Sequence, residues 1–198
     1  MYKQNFINLI KDDAIKGYYS YNILPSLTIS QAILETGWGK YSIGNNIFGI
    51  KADKNWKGKR KLVKTTEYIN GKKTYINTYF RDYDTIYDCL EDRFIFLSKP
   101  RYKKVVQAKN YKEACNEIYK AGYATDPNYP QKLIQIIEQN KLYKYDEIAI
   151  NQNNPSNWAK QAWNWSKING YLDGTRPKDA LTREEMAIVL KRLVDRVG

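Results

Sequence analysis

The chain has 198 residues, 42% of them hydrophobic, with formal net charge +12, two cysteines and no histidine. That length accommodates one large domain, or one domain with a small module, and the apolar content suffices for a packed core. The lack of histidine excludes histidine-based triads and histidine-ligated zinc, and Cys89 and Cys115, each among apolar neighbours in a predicted helix, are too few for a thiolate metal site, so no metal or cofactor is expected.

Residues 1–10 read as an amphipathic helix, without the apolar, small-residue-terminated core of a cleavable leader, and no apolar run approaches a membrane span. A second helix starts at Pro25-Ser26, carries the apolar stripe Ile29, Ala32, Ile33 and stops at Gly37. Glu35 falls in its last turn. There the negative end of the helix dipole and packing against Trp38 both disfavour ionisation, and a carboxylic acid kept neutral near pH 7 can protonate a leaving group. A glycine-hinged aromatic loop, Gly44-Asn45-Asn46-Ile47-Phe48-Gly49-Ile50-Lys51, follows.

Charge is then concentrated. Lys51, Lys54, Lys57, Lys59, Arg60, Lys61 and Lys64 are opposed only by Asp53, a field that draws polyanions without choosing among them. Residues 62–69 and 72–80 alternate in polarity around Asn70-Gly71, a hairpin signal whose two-residue turn sets Ile69 opposite Lys72 and Glu67 opposite Thr74. Glu67 then shares a strand face with Val63, Thr65 and Ile69. Three helices are predicted next: one capped by Asp84 and carrying Ile86, Leu90, Phe94 and Leu97; one from Tyr111 to Lys120; one from Pro130 onward. Residues 123–129 form a polar, aromatic loop between the last two. Asn151-Gln152-Asn153-Asn154-Pro155 reads as a polar linker, after which residues 156–169 are helical, residues 170–175 turn, and Thr182 with Glu185 forms a capping box.

Glu35-Thr36-Gly37-Trp38-Gly39 followed by Asn45-Asn46-Ile47-Phe48-Gly49-Ile50-Lys51, with Thr66-Glu67, Phe80-Arg81-Asp82-Tyr83 and Ala121-Gly122-Tyr123-Ala124-Thr125-Asp126-Pro127-Asn128-Tyr129, resembles the signature of glycoside hydrolase family 73, the glucosaminidases that act on peptidoglycan. The likeness covers roughly residues 1–146. It implies an α+β, mainly helical, lysozyme-like catalytic domain with one β-hairpin lobe. It further implies Glu35 as general acid and Glu67 as the second carboxylate, either a base in an inverting route or a stabiliser if the substrate's acetamido group attacks. Trp38, Asn46, Phe48, Tyr123 and Tyr129 are the residues expected to line the glycan groove.

The C-terminal part, through Trp158-Ala159, Ile168-Asn169-Gly170-Tyr171, Asp173-Gly174-Thr175 and Leu181-Thr182-Arg183-Glu184-Glu185-Met186-Ala187, resembles a single S-layer homology module. That likeness implies binding of secondary cell-wall polymer through Trp158, Gly174 and Arg183, and leaves self-association open. The expected organisation is a catalytic domain over residues 1–147, a linker over 148–156 and a wall-binding module over 157–198. The expected activity is endo-β-N-acetylglucosaminidase, with peptidoglycan and anionic or secondary wall polymers as partners, and neither nucleic acid nor membrane insertion. Synthesis in the cytoplasm without a signal, followed by action at the wall, resembles a phage endolysin released by a holin. A muramidase or lytic transglycosylase, and a non-catalytic wall-binding protein, are the alternatives.

Overall fold

A computed structural model describes the backbone of residues 2–69 and 72–197 and the side chains of residues 2–65 and 74–195. The chain forms two compact units, Met1–Tyr145 and Asp146–Gly198.

In the first unit the organising element is α2 (Pro25–Thr36), which follows α1 (Tyr2–Tyr21). Pro25 opens α2 where its missing N–H costs no hydrogen bond. Residues 25–33 and Thr36 are all buried, so α2 is an interior helix rather than an amphipathic one. Its hydroxyls are accommodated by closing on the preceding turn. Thr28 Oγ1 donates to the Leu24 carbonyl at 3.4 Å, Ser30 Oγ to Leu27 at 3.1 Å and Thr36 Oγ1 to Ala32 at 2.6 Å. Helix α1, α5 (Tyr111–Lys120) and α6 (Tyr129–Gln139) pack around α2, while α3 (Ile86–Leu97) packs on α1 and the short α4 (Lys103–Val106) on α5. The shared core includes Ile10, Ile29, Leu90, Leu97, Ile118 and Leu133. Gly17 lets α1 approach α3 so closely that a Cβ there would lie 2.2 Å from the Phe94 ring.

The hairpin lobe consists of β1 (Arg60–Ile69) and β2 (Lys72–Arg81), antiparallel, in the register expected from the turn: Ile69 opposite Lys72 and Glu67 opposite Thr74. Asn70 and Gly71 lie outside the described residues. At its root the lobe is tied to the helices. Ala52 N–H donates to Tyr79 O at 2.8 Å and Arg81 N–H to Ile50 O at 2.9 Å. Arg81 Nη1 donates to both Asp92 oxygens at 2.7 Å, Tyr83 donates its hydroxyl to Asp92 at 2.6 Å, and the Arg81 guanidinium lies 4.3 Å over the Trp56 ring.

Two local expectations change. Thr85, not Asp84, caps α3: its extended backbone turns the hydroxyl toward Asp88 N–H while Asp88 reaches back, and Asp84 pairs instead with Lys59 at 2.5 Å. The segment expected as linker is helical as far as Asn153, within α7 (Tyr143–Asn153). The helix thus enters an asparagine-rich stretch whose composition reads as linker.

In the second unit, α8 (Lys160–Ile168) and α9 (Arg183–Val197) are joined by a turn in which Thr175 N–H donates to Asp173 Oδ1 at 2.8 Å. The expected capping box is formed: Glu185 N–H donates to Thr182 Oγ1 at 3.1 Å and Thr182 N–H to Glu185 Oε2 at 2.9 Å. Trp165 stacks on Tyr171 at 5.1 Å, and Arg192 donates to the Tyr171 carbonyl at 3.1 Å. A cleft of about 570 Å³ lies between these elements, bordered by Trp163, Tyr171, Arg176, Leu181, Glu185 and Arg192. Among the described residues no helix is long and apolar enough to cross a membrane.

Candidate active site

Helical spacing places Gln31 and Glu35, four residues apart, on one face of α2. Tyr129, the first residue of α6, meets that face. Gln31 Nε2 donates to the Tyr129 hydroxyl oxygen at 2.8 Å, and the Tyr129 hydroxyl donates to Glu35 Oε1 at 3.2 Å. Behind Gln31 lies Arg93 of α3, 0% exposed, whose Nη2 donates to Gln31 Oε1 and Nη1 to Thr28 Oγ1 at 3.1 Å. A chain of hydrogen bonds therefore runs from a buried guanidinium to the carboxyl at the helix end.

Glu35 is solvent-exposed, yet its carboxyl pKa is raised, the largest cause being desolvation by the protein around it, with the Tyr129 hydrogen bond and the Arg93 charge pulling the other way. These observations describe a carboxyl that water reaches from one side and protein crowds on the others. It combines access for a substrate with a preference for the protonated form.

The chain leaves α2 through three consecutive left-handed residues, Gly37 (φ 55°), Trp38 (φ 68°) and Gly39 (φ 80°). Gly37 N–H caps the Ile33 carbonyl. For tryptophan this backbone region is strained, and such strain persists only where the surroundings impose it. The Trp38 ring is half-buried against the core and the Lys3 ammonium lies 4.9 Å over it.

Of the residues expected to line the groove, Tyr123 is half-buried beside the site, its ring 6.1 Å from that of Tyr129, and burial pushes its hydroxyl pKa up. Three others are placed differently. Asn46 is 1% exposed and its amide is consumed by backbone: Nδ2 donates to Ile50 O at 3.0 Å and Arg81 O at 2.9 Å, and Oδ1 accepts from Ile50 N–H at 3.0 Å. It staples the loop to the hairpin root, with both amide hydrogens going to backbone carbonyls. Phe48 is buried, with the Arg93 guanidinium 4.8 Å over its ring, because an apolar side chain in a glycine-hinged loop gains more from the core than from solvent. Tyr129 is 5% exposed and contributes its hydroxyl to Glu35 rather than a ring face to the groove. The Glu67 backbone sits in β1 opposite Thr74, and its side chain lies outside the described residues.

Gln31 and Arg93 join the site beyond the residues that the sequence marks for it. A signal for Arg93 was present: an arginine between Leu90, Phe94 and Leu97, on the apolar stripe of its helix, is out of place unless partnered. In the second unit, Trp158 is 89% exposed, Arg183 opens α9 in solvent, and Gly174 (φ 84°) lies against the Lys167 side chain; none of the three borders the cleft. Among the described residues, no group of three or more acidic, cysteine or histidine side chains is arranged to hold a metal.

A mainly helical domain with one hairpin lobe, built round a helix-end carboxyl that protein desolvates, is the architecture of a lysozyme-like glycoside hydrolase. Residues 11–142 match the Glucosaminidase family, described as mannosyl-glycoprotein endo-beta-N-acetylglucosaminidase, and the chain belongs to that family. It is 39% identical over 155 residues to the exo-glucosaminidase LytG of Bacillus subtilis (strain 168), covering 74% of this chain and 54% of that one. It is 36% identical over 141 residues to the peptidoglycan hydrolase FlgJ of Vibrio parahaemolyticus serotype O3:K6, covering 67% and 46%. The chain thus spans about half the length of these curated relatives. The crystal structure of the catalytic domain of the autolysin Auto from Listeria monocytogenes superposes with a TM-score of 0.66 at 34% identity, covering 73% of this chain and 88% of that one.

Proposed function

We propose that the chain hydrolyses peptidoglycan, cutting the β-1,4 bond after N-acetylglucosamine within the glycan strand, with Glu35 as general acid. The observation that carries this reading is the Glu35 carboxyl, open to solvent, raised in pKa by desolvation and held by the Tyr129 hydroxyl. Protonated Glu35 gives its proton to the bridging oxygen as the bond to the anomeric carbon breaks. The carboxylate left behind is the form that the Tyr129 hydrogen bond and the Arg93 charge stabilise. Water then supplies hydroxide to the anomeric carbon, its second proton going to a carboxylate. Glu67 is assigned as the base of that step, or as the stabiliser of an intermediate formed by the substrate's own acetamido group.

The names of the similar proteins support peptidoglycan as substrate: LytG is a glucosaminidase and FlgJ a peptidoglycan hydrolase. In this reading Trp38 and Tyr123 contact the glycan. The basic run from Lys51 to Lys64 concentrates the enzyme on anionic wall polymers, and the second unit adds wall contacts through Trp158, Gly174 and Arg183. Self-association through the exposed apolar side chains of α9 and endolysin-type deployment, with holin release, complete the proposal. Mass spectrometry of digested walls tests the chemistry. New reducing N-acetylglucosamine ends on fragments of mixed length are expected. Reducing or anhydro N-acetylmuramic acid ends would overturn the bond assignment, and release of single terminal sugars alone would replace the endo mode by an exo mode.

A further inference from the structure

We infer that Arg93 is a positioning residue: by fixing which end of the Gln31 amide faces Tyr129, it directs the single proton of the Tyr129 hydroxyl onto Glu35. The inference rests on the reading of Glu35 as the acid. Arg93 is fully buried, and among the described residues no carboxylate pairs with it. Its charge is accommodated by Thr28 Oγ1, Gln31 Oε1, the Tyr123 hydroxyl and the Phe48 ring at 4.8 Å, while its buried Nε has no hydrogen-bond partner. A guanidinium in this setting is costly to bury, so a merely apolar filler would serve packing better.

The polarity of the network explains its presence. A guanidinium has five donors and no acceptor, so the Gln31 atom facing it must be Oε1. That choice turns Nε2 toward Tyr129. The tyrosine oxygen then accepts from Gln31, and its one O–H is left to donate to Glu35 Oε1. Without Arg93 the amide is free to rotate by half a turn, and its oxygen then captures the Tyr129 proton. Glu35 loses its donor together with the nearby positive charge. The charged and titratable groups that face Glu35 among the described residues are Tyr129 of α6, Arg93 of α3 and Tyr123 of the preceding loop; α1 and α5, also packed on α2, send none to it.

The test follows the Glu35 carboxyl by carbon NMR titration of the full chain, alongside the pH profile of wall hydrolysis. Arg93→Met is expected to raise the Glu35 midpoint by about 1 pH unit and to lower the plateau rate by about 10- to 100-fold. Removing the amide as well, in the double variant Arg93→Met with Gln31→Met, leaves Tyr129 only Glu35 to donate to, so the midpoint moves part of the way back and the rate partly recovers. A folded Arg93→Met with an unmoved midpoint overturns the inference, and so does a double variant that shows no reversal. If Arg93→Met does not fold, Gln31→Glu gives the buried guanidinium a counter-ion and presents an acceptor to Tyr129. A raised midpoint and reduced rate then support the inference, and an unmoved midpoint overturns it. Full activity of Glu35→Gln would sink the reading of Glu35 as acid, while the titrations would still report on Arg93.

Discussion

The Tyr129 hydroxyl donates to Glu35 Oε1 at 3.2 Å across 94 positions of sequence, joining the first residue of α6 to the last turn of α2. This contact opposes the desolvation that raises the Glu35 pKa, so the carboxyl is held between two influences of opposite sign. In the proposed role of general acid, Glu35 is protonated before bond cleavage and ionised after it, and the two influences suit those two states.

Glu35→Gln keeps the shape of the side chain and removes its proton. Hydrolysis of purified peptidoglycan is expected to fall by about 10²–10⁴-fold. Stability should change in the other direction. Because the folded-state pKa lies above the unfolded one, ionising Glu35 costs stability once pH rises through the folded value, and glutamine removes that cost. The variant should therefore melt at or above the wild-type temperature at neutral pH, with the difference vanishing in acid. A lower melting temperature at pH 7 would contradict this account.

Tyr129→Phe deletes the donor that lowers the Glu35 pKa, so that pKa rises further. Activity that requires protonated Glu35 then persists to higher pH. The high-pH limb of the rate profile should move upward while the plateau falls, and a limb displaced downward would be inconsistent with the contact.

Gly17→Ala places a methyl 2.2 Å from the Phe94 ring in the contact between α1 and α3. The gain in helix propensity is under about 1 kcal/mol, whereas overpacking costs about 1–3 kcal/mol. Chemical denaturation should show a net loss of stability, and Gly17→Ala combined with Phe94→Leu should recover part of it.

Neutralising Lys57, Lys59 and Lys61 tests the basic run at the base of the hairpin. Exposed charges are screened beyond about 8 Å at physiological ionic strength, so lysis by the parent should weaken as salt rises and lysis by the triple variant should depend on salt less. Cutting of a short neutral glycan should be unchanged. Lys59 also pairs with Asp84 at 2.5 Å, but at this exposed position the pair contributes little to folding, so a melting curve close to the parent is the accompanying expectation.

Local signals in the chain determined much of this protein. Pro25 and the left-handed Gly37 bound α2, Ile69 pairs with Lys72 as the hairpin signal predicts, and Thr182 with Glu185 caps α9, because each depends only on backbone geometry and neighbours within a few residues. The position of Glu35 at a helix end and the family likeness were legible for the same reason. Tertiary structure alone decided which polar side chains serve the site and which serve the scaffold. Asn46 and Phe48 lie in the same motif as Glu35, but one is spent on backbone groups and the other on the core, because burial and hydrogen-bond demand are set by elements distant in sequence. Gln31, Tyr129 and Arg93 come from α2, α6 and α3, and no spacing along the chain records that packing these three helices aligns a donor, an amide and a hydroxyl in one direction toward a carboxyl. Desolvation, the largest cause of the raised pKa of Glu35, follows from that packing, since it depends on how many protein atoms surround a group in three dimensions.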